Sequence, residues 1–112
     1  MDNPIQSRER RQTYRIIYPD NMNPKLVIKN VEYDVLDLSE DGIRFKIKEQ
    51  VKLPGDLFHA SVVLHNEQNI EIIGRIIRIT GTEAAMFMVI KKIPYQLILA
   101  EQAFLRLAGS EE

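Results

Sequence analysis

The chain has 112 residues, 45% of them hydrophobic and 28% charged, which suits one ordinary globular domain and leaves too little for two. Its formal net charge of −1 argues against a general polyanion binder, and with no cysteine both disulfides and thiol catalysis are excluded. No apolar run reaches the roughly 18 residues of a membrane span, and the first residues lack the apolar stretch of a secretory signal, so a cytoplasmic protein is expected.

Charge is unevenly placed. Arg8, Arg10, Arg11 and Arg15 stand against the single Glu9. Further on, Glu32, Asp34, Asp37, Glu40 and Asp41 occur with no Lys or Arg among them. A basic arm therefore precedes an acidic strand and turn. The arm has almost no apolar content before Tyr14 and is expected to be mobile on its own.

Tyr14, Ile16, Ile17 and Tyr18 open the ordered part, and Pro19-Asp20-Asn21 turns the chain. A short strand follows around Leu26-Val27-Ile28. Next, Val31, Tyr33 and Val35 alternate with Glu32 and Asp34, the pattern of a strand with one buried face. The alternation breaks at Val35-Leu36, which predicts a bulge or sharp twist. After Asp41-Gly42 the alternation resumes, with Ile43, Phe45 and Ile47 inward and Arg44, Lys46 and Lys48 outward. Gly42 is expected to supply the positive φ of a tight turn. Pro54-Gly55-Asp56 marks another turn. Phe58, Ala60, Val62 and Leu64 give the inner face of a strand over 57–65. A long Ile-rich strand over 69–79 contains Gly74, read as a bend or bulge, and a last strand spans 84–91. Five or six antiparallel strands at this spacing suggest a small barrel.

Pro94 to Leu107 reads as a helix, with Pro94 suited to its first turn. At the helical period Leu97, Ala100, Ala103, Phe104 and Leu107 form one stripe, expected to cap the barrel. Ile98 and Leu105 fall on a flank outside it. That flank covers a loop or offers a homodimer face.

Catalytic patterns are missing. His59 and His65 have outward parity on one strand, about 20 Å apart, too far to share a metal. There is no Gly-x-Ser-x-Gly elbow, Walker loop or His-Glu-x-x-His, and Asp37 with Ser39 lacks a histidine partner. An enzyme is not expected.

Binding chemistry is present. Arg11 and Arg15 fall on one face of a helical turn or of an extended arm, so both can clamp one ligand. Guanidinium forks match phosphate oxygens and equally guanine O6 and N7. The Asp37 carboxylate complements the paired donors at guanine N1 and N2. Ser39 can donate to a phosphate or base acceptor, and Gly42 lets backbone approach a planar ligand. Either motif alone is common: Arg-x-x-x-Arg in basic segments, Asp-x-Ser-x-x-Gly in hairpin turns. Their combination in this order is more specific.

The combination resembles the PilZ domain, a bacterial receptor module for cyclic di-GMP. The family pattern, Arg-x-x-x-Arg followed by Asp/Asn-x-Ser-x-x-Gly, stands here as Arg11-Gln12-Thr13-Tyr14-Arg15 and Asp37-Leu38-Ser39-Glu40-Asp41-Gly42. The likeness continues through Gly74-Arg75-Ile76-Ile77-Arg78, the strand with Phe87 and the C-terminal helix, over residues 8–108. It implies a mainly β fold, a six-stranded antiparallel barrel with a C-terminal α-helix. It implies an arm over 1–15, a barrel with its helix over 16–108 and a tail over 109–112. It further implies that Arg11 and Arg15 bind phosphate and guanine, and that Asp37, Ser39 and Gly42 bind a guanine. Many relatives carry a second glycine where Asp41 stands. Arg10, just before the arginine motif, favours a stacked ligand pair over a single ligand. Arg44, Arg75 and Arg78 are expected at the rim. No cofactor is expected beyond the ligand, cyclic di-GMP. Ligand would fold the arm over the turn, and a partner protein in trans would read the new surface. Two alternatives stay open: a nucleic-acid-binding small barrel, and a PilZ-like module that only contacts proteins.

Overall fold

Alternating apolar residues bury one face of each strand here, and the sheet closes on itself so that those faces meet. The computed structural model describes residues 15–48 and 51–110. The arm expected before Arg15, with Arg10 and Arg11, lies outside the described residues.

Seven strands form one antiparallel sheet: β1 (Ile16–Ile17), β2 (Lys25–Ile28), β3 (Val31–Leu38), β4 (Gly42–Lys46), β5 (Phe58–Val63), β6 (Asn69–Thr80) and β7 (Glu83–Lys91). Their order is β1-β3-β2-β5-β6-β7-β4, and β4 pairs back onto β3. Six strands therefore close the expected barrel, and β1 is an extra strand laid along the far half of β3. One helix, α1 (Tyr95–Ser110), follows.

The turns explain themselves. Lys29 and Asn30, both left-handed at φ 53° and 68°, join β2 to β3 in the type I′ manner that matches strand twist. Thr80 faces Glu83 across a second two-residue turn, with Gly81 left-handed at its first position. The expected inner faces of β4 and β5 are buried, from Ile43 and Phe45 to Ala60 and Val62. On β3, Tyr33 and Val35 face in, but Val31 at the strand's start is exposed. Gly74 sits at a break in the β6–β7 register. A Cβ there would lie 2.1 Å from the Phe87 carbonyl oxygen, so only glycine admits that approach.

The helix docks on a different face from the one its periodicity suggests. Ile98 is fully buried, and Leu105 packs against the core together with Leu97 of the expected stripe, while the stripe's Ala100, Ala103, Phe104 and Leu107 face outward. The Ile98–Leu105 flank thus packs on the barrel. The physical reason is Glu101, which lies between them and is only 3% exposed. Its carboxylate accepts hydrogen bonds from the Tyr18 hydroxyl at 2.5 Å and the His65 backbone N–H at 2.9 Å. His65 Nδ1 lies 3.0 Å from the same carboxylate. Three contacts from two residues distant in sequence make burial of this carboxylate tolerable and turn its face toward the barrel. His65 accordingly does not point to solvent. It lies past the end of β5, stacked on Phe104 with ring centroids 4.5 Å apart.

Candidate functional site

The site is built by two bulges. The β3–β4 register slips between Val35 and Asp37, where the sequence pattern breaks. Val35 pairs with Phe45 inside the barrel. The extra residue, Leu36, then lets Asp37 pair with Arg44 on the outer face and Leu38 pair with Ile43 inside. Without the slip, Asp37 would share the parity of Val35 and enter the core. A second slip, between Ile76 and Arg78, does the same on β6. It places Arg78 opposite Ala85 and Arg75 opposite Phe87, both outward although three residues apart.

Asp37 is the electrostatic centre. It is 3% exposed, and both its oxygens are engaged. Arg15 Nη1 donates to Oδ1 at 2.7 Å, and Arg44 Nε donates to Oδ2 at 2.7 Å. Arg44 Nη1 also reaches Glu83 Oε1 at 2.5 Å. These hydrogen bonds, first to Asp37 and then to Glu83, hold the Arg44 guanidinium still more firmly protonated than usual. Arg78 makes no ion pair among the described residues.

The turn behind them is rigid. Ser39 N–H donates to the Gly42 carbonyl at 2.9 Å, and Gly42 N–H donates to Ser39 Oγ at 3.1 Å. The Asp41 carbonyl accepts from Met88 N–H at 2.8 Å, and the Glu40 carbonyl accepts from Ile93 N–H at 3.2 Å. Ser39 is buried and its hydroxyl closes the turn. Gly42 does not adopt the expected positive φ: it already belongs to β4. Its small size matters instead, since a Cβ would stand 3.3 Å from Ser39 Oγ and 3.9 Å from Arg15 Nη2.

A groove of about 260 Å³ opens on the outer face of β4, β7 and β6. Arg15, Gly42, Arg44, Arg78, Ile77 and Phe87 line it, and Asp41 stands at its edge. A second depression of about 340 Å³ shares Arg44, Arg78 and Ala85 with the first and runs to Glu83. Of the sequence-selected residues, Arg15, Asp37, Gly42, Arg44 and Arg78 come together here. Arg75 is not part of the lining. Glu83 was not legible in advance: it is a hairpin residue, and only the β4–β7 pairing carries it to Arg44. Among the described residues, no three His, Cys, Asp or Glu side chains converge as a metal site would require. No described helix is long and apolar enough to cross a membrane.

A family model for the PilZ domain matches residues 9–98. A crystal structure of an uncharacterized Legionella protein superposes with a TM-score of 0.59 at 13% identity, covering 88% of this chain and 97% of that one, a likeness of fold. No curated protein matches the chain. With its fold and with a family match over most of its length, the chain belongs to the PilZ domain family, a family of cyclic di-GMP receptors.

Proposed function

We propose that this chain is a cytoplasmic cyclic di-GMP receptor, without catalytic activity, that signals by ordering its N-terminal arm for a partner protein. The observation that carries the reading is the buried Asp37 carboxylate, clamped by Arg15 and Arg44 beside a groove that also holds Arg78. Arg15 is half exposed, with a side-chain accessibility of 46%, so its guanidinium can turn to a ligand whose own donors replace it on the buried Asp37 carboxylate. Binding then exchanges one ion pair for two better-matched contacts. Arg15 and Arg11 take ligand phosphate and a guanine edge, and Asp37 accepts from guanine N1 and N2. Arg44 stays on the other Asp37 oxygen and keeps the carboxylate oriented. Phe87 and Ile77 offer apolar surface to a base. Gly42 leaves room for it, Ser39 holds the turn, and Arg10 approaches a second ligand. A ligand shifts the arm only through differential affinity, and an arm that is free in one state and clamped in the other provides that difference.

The test is calorimetric titration of cyclic di-GMP, with cyclic di-AMP and linear diguanylate as controls. Micromolar binding corresponds to about −8 kcal/mol, within reach of three or four charge-assisted hydrogen bonds less the ordering cost. Binding selective for the cyclic guanine ligand, and lost in Arg11→Ala and Arg15→Ala, is expected. No heat from any nucleotide would overturn the reading. Binding that ignores base identity and collapses with salt would transfer it to single-stranded nucleic acid.

A further inference from the structure

Arg15, Arg44 and Arg78 are the cations of the two depressions, Asp41 and Glu83 their anions, and Asp37 pairs with Arg15 and Arg44. Asp37 is buried and serves both Arg15 and Arg44. Glu83 is different. It is 46% exposed, its one ion pair among the described residues is with Arg44 at 2.5 Å, and it lines the depression that shares Arg44 and Arg78 with the groove. Arg44 spends Nε on Asp37 and Nη1 on Glu83, so two of its three nitrogens already face a carboxylate. An incoming phosphate oxygen would meet Arg44 with its countercharge already seated.

We infer that Glu83 is a resident counter-anion that occupies the phosphate seat between Arg44 and Arg78 and sets the affinity of the site for anionic ligands. This deepens the receptor reading and rests on it for the identity of the natural ligand. A phosphodiester that reaches Arg44 must displace the Glu83 carboxylate or bear its repulsion. The β6–β7 hairpin, turned by Gly81, keeps Glu83 in register with Lys46 of β4, so the carboxylate returns when ligand leaves.

The test is Glu83→Gln, which keeps an amide oxygen for Arg44 and removes the charge. Glu71→Gln is the control. It makes the same change in net charge at an exposed residue outside the groove, whose partner is Lys91 at 3.6 Å. Both variants and wild type are titrated with cyclic di-GMP and, separately, with inorganic pyrophosphate. Glu83→Gln should tighten both by about fivefold, the effect of one charge beside a partly exposed anion site. Glu71→Gln should leave both unchanged. The gap should close in about 1 M salt, where the screening length falls to about 3 Å. Equal affinities for Glu83→Gln and wild type would overturn the inference, as would an equal gain in Glu71→Gln. If pyrophosphate binding tightens while no protein binds cyclic di-GMP, the counter-anion stands and the receptor reading falls. If neither probe binds any of the three proteins, both fall.

Discussion

Tyr18 closes the chain's entry into the barrel onto the C-terminal helix, and its hydroxyl is the part to remove. In Tyr18→Phe the ring keeps its place among the core residues, but the 2.5 Å hydrogen bond to Glu101 is lost. Both groups are buried, Tyr18 to 5% and Glu101 to 3% exposure, so water does not replace the donor. A hydrogen bond to a buried charge is worth about 1.5–3 kcal/mol, and Glu101 retains its two contacts with His65, so a loss of about 2 kcal/mol is expected. For 112 residues the unfolding entropy converts this to a fall in Tm of about 8 °C. Thermal unfolding followed by circular dichroism measures it. The same pair predicts a pH dependence. Burial first, and the hydrogen bond to Glu101 next, push the Tyr18 phenol well above its ordinary value of 10.0. The folded state therefore holds this proton more tightly than the unfolded chain. The contribution is complete below pH 10 and is lost above it, as the unfolded phenol ionises, by about 1.4 kcal/mol per pH unit. The stability gap between wild type and variant should thus be full at pH 8 and shrink above pH 10. A Tm within about 2 °C of wild type at neutral pH would refute the reasoning.

Gly74→Ala should fail to fold or lose about 3 kcal/mol or more, because the new Cβ would meet backbone at 2.1 Å; denaturant melts would show it. Gly42→Ala should fold within about 1 kcal/mol of wild type, since no positive φ is required, yet weaken cyclic di-GMP binding by narrowing the groove beside Arg15. Calorimetry on the folded variant separates the two effects. Leu105→Glu should destabilise a monomer by about 2–4 kcal/mol, because Leu105 packs on the barrel. Leu99→Glu, on the exposed side of α1, should change stability by less than about 0.5 kcal/mol in the same urea titration.

Much of the barrel was legible because alternation is a local property. Each of Phe45, Ala60 and Val62 chooses its side by parity with its neighbours, and burial enforces that parity along a whole strand. The slip at Val35 could be read for the same reason: it breaks a pattern two residues long. The meeting of Arg15 with Asp37 follows motifs legible in the sequence, because an arginine fork and a carboxylate have matching chemistry whatever the fold. The slip at Ile76 is harder to read: Arg75 and Arg78 change parity across it, but Ile77 and Ile79 are apolar and exposed, so hydrophobicity does not tell the two faces apart.

What remained belonged to contacts between segments far apart in the chain. The helix carries enough apolar residues to dock in two ways, and periodicity favours the stripe through Phe104. Glu101 decides otherwise, because Tyr18 and His65, 83 and 36 residues away, wait to satisfy its carboxylate. Glu83 meets Arg44 across 39 residues for a similar reason, through strand pairing that no local pattern encodes. A sequence thus determines which face each strand buries and which chemistry the turn and arm can perform. Where a charge can be buried, and which countercharge Arg44 meets, depends on partners that only the closed barrel brings within hydrogen-bonding distance.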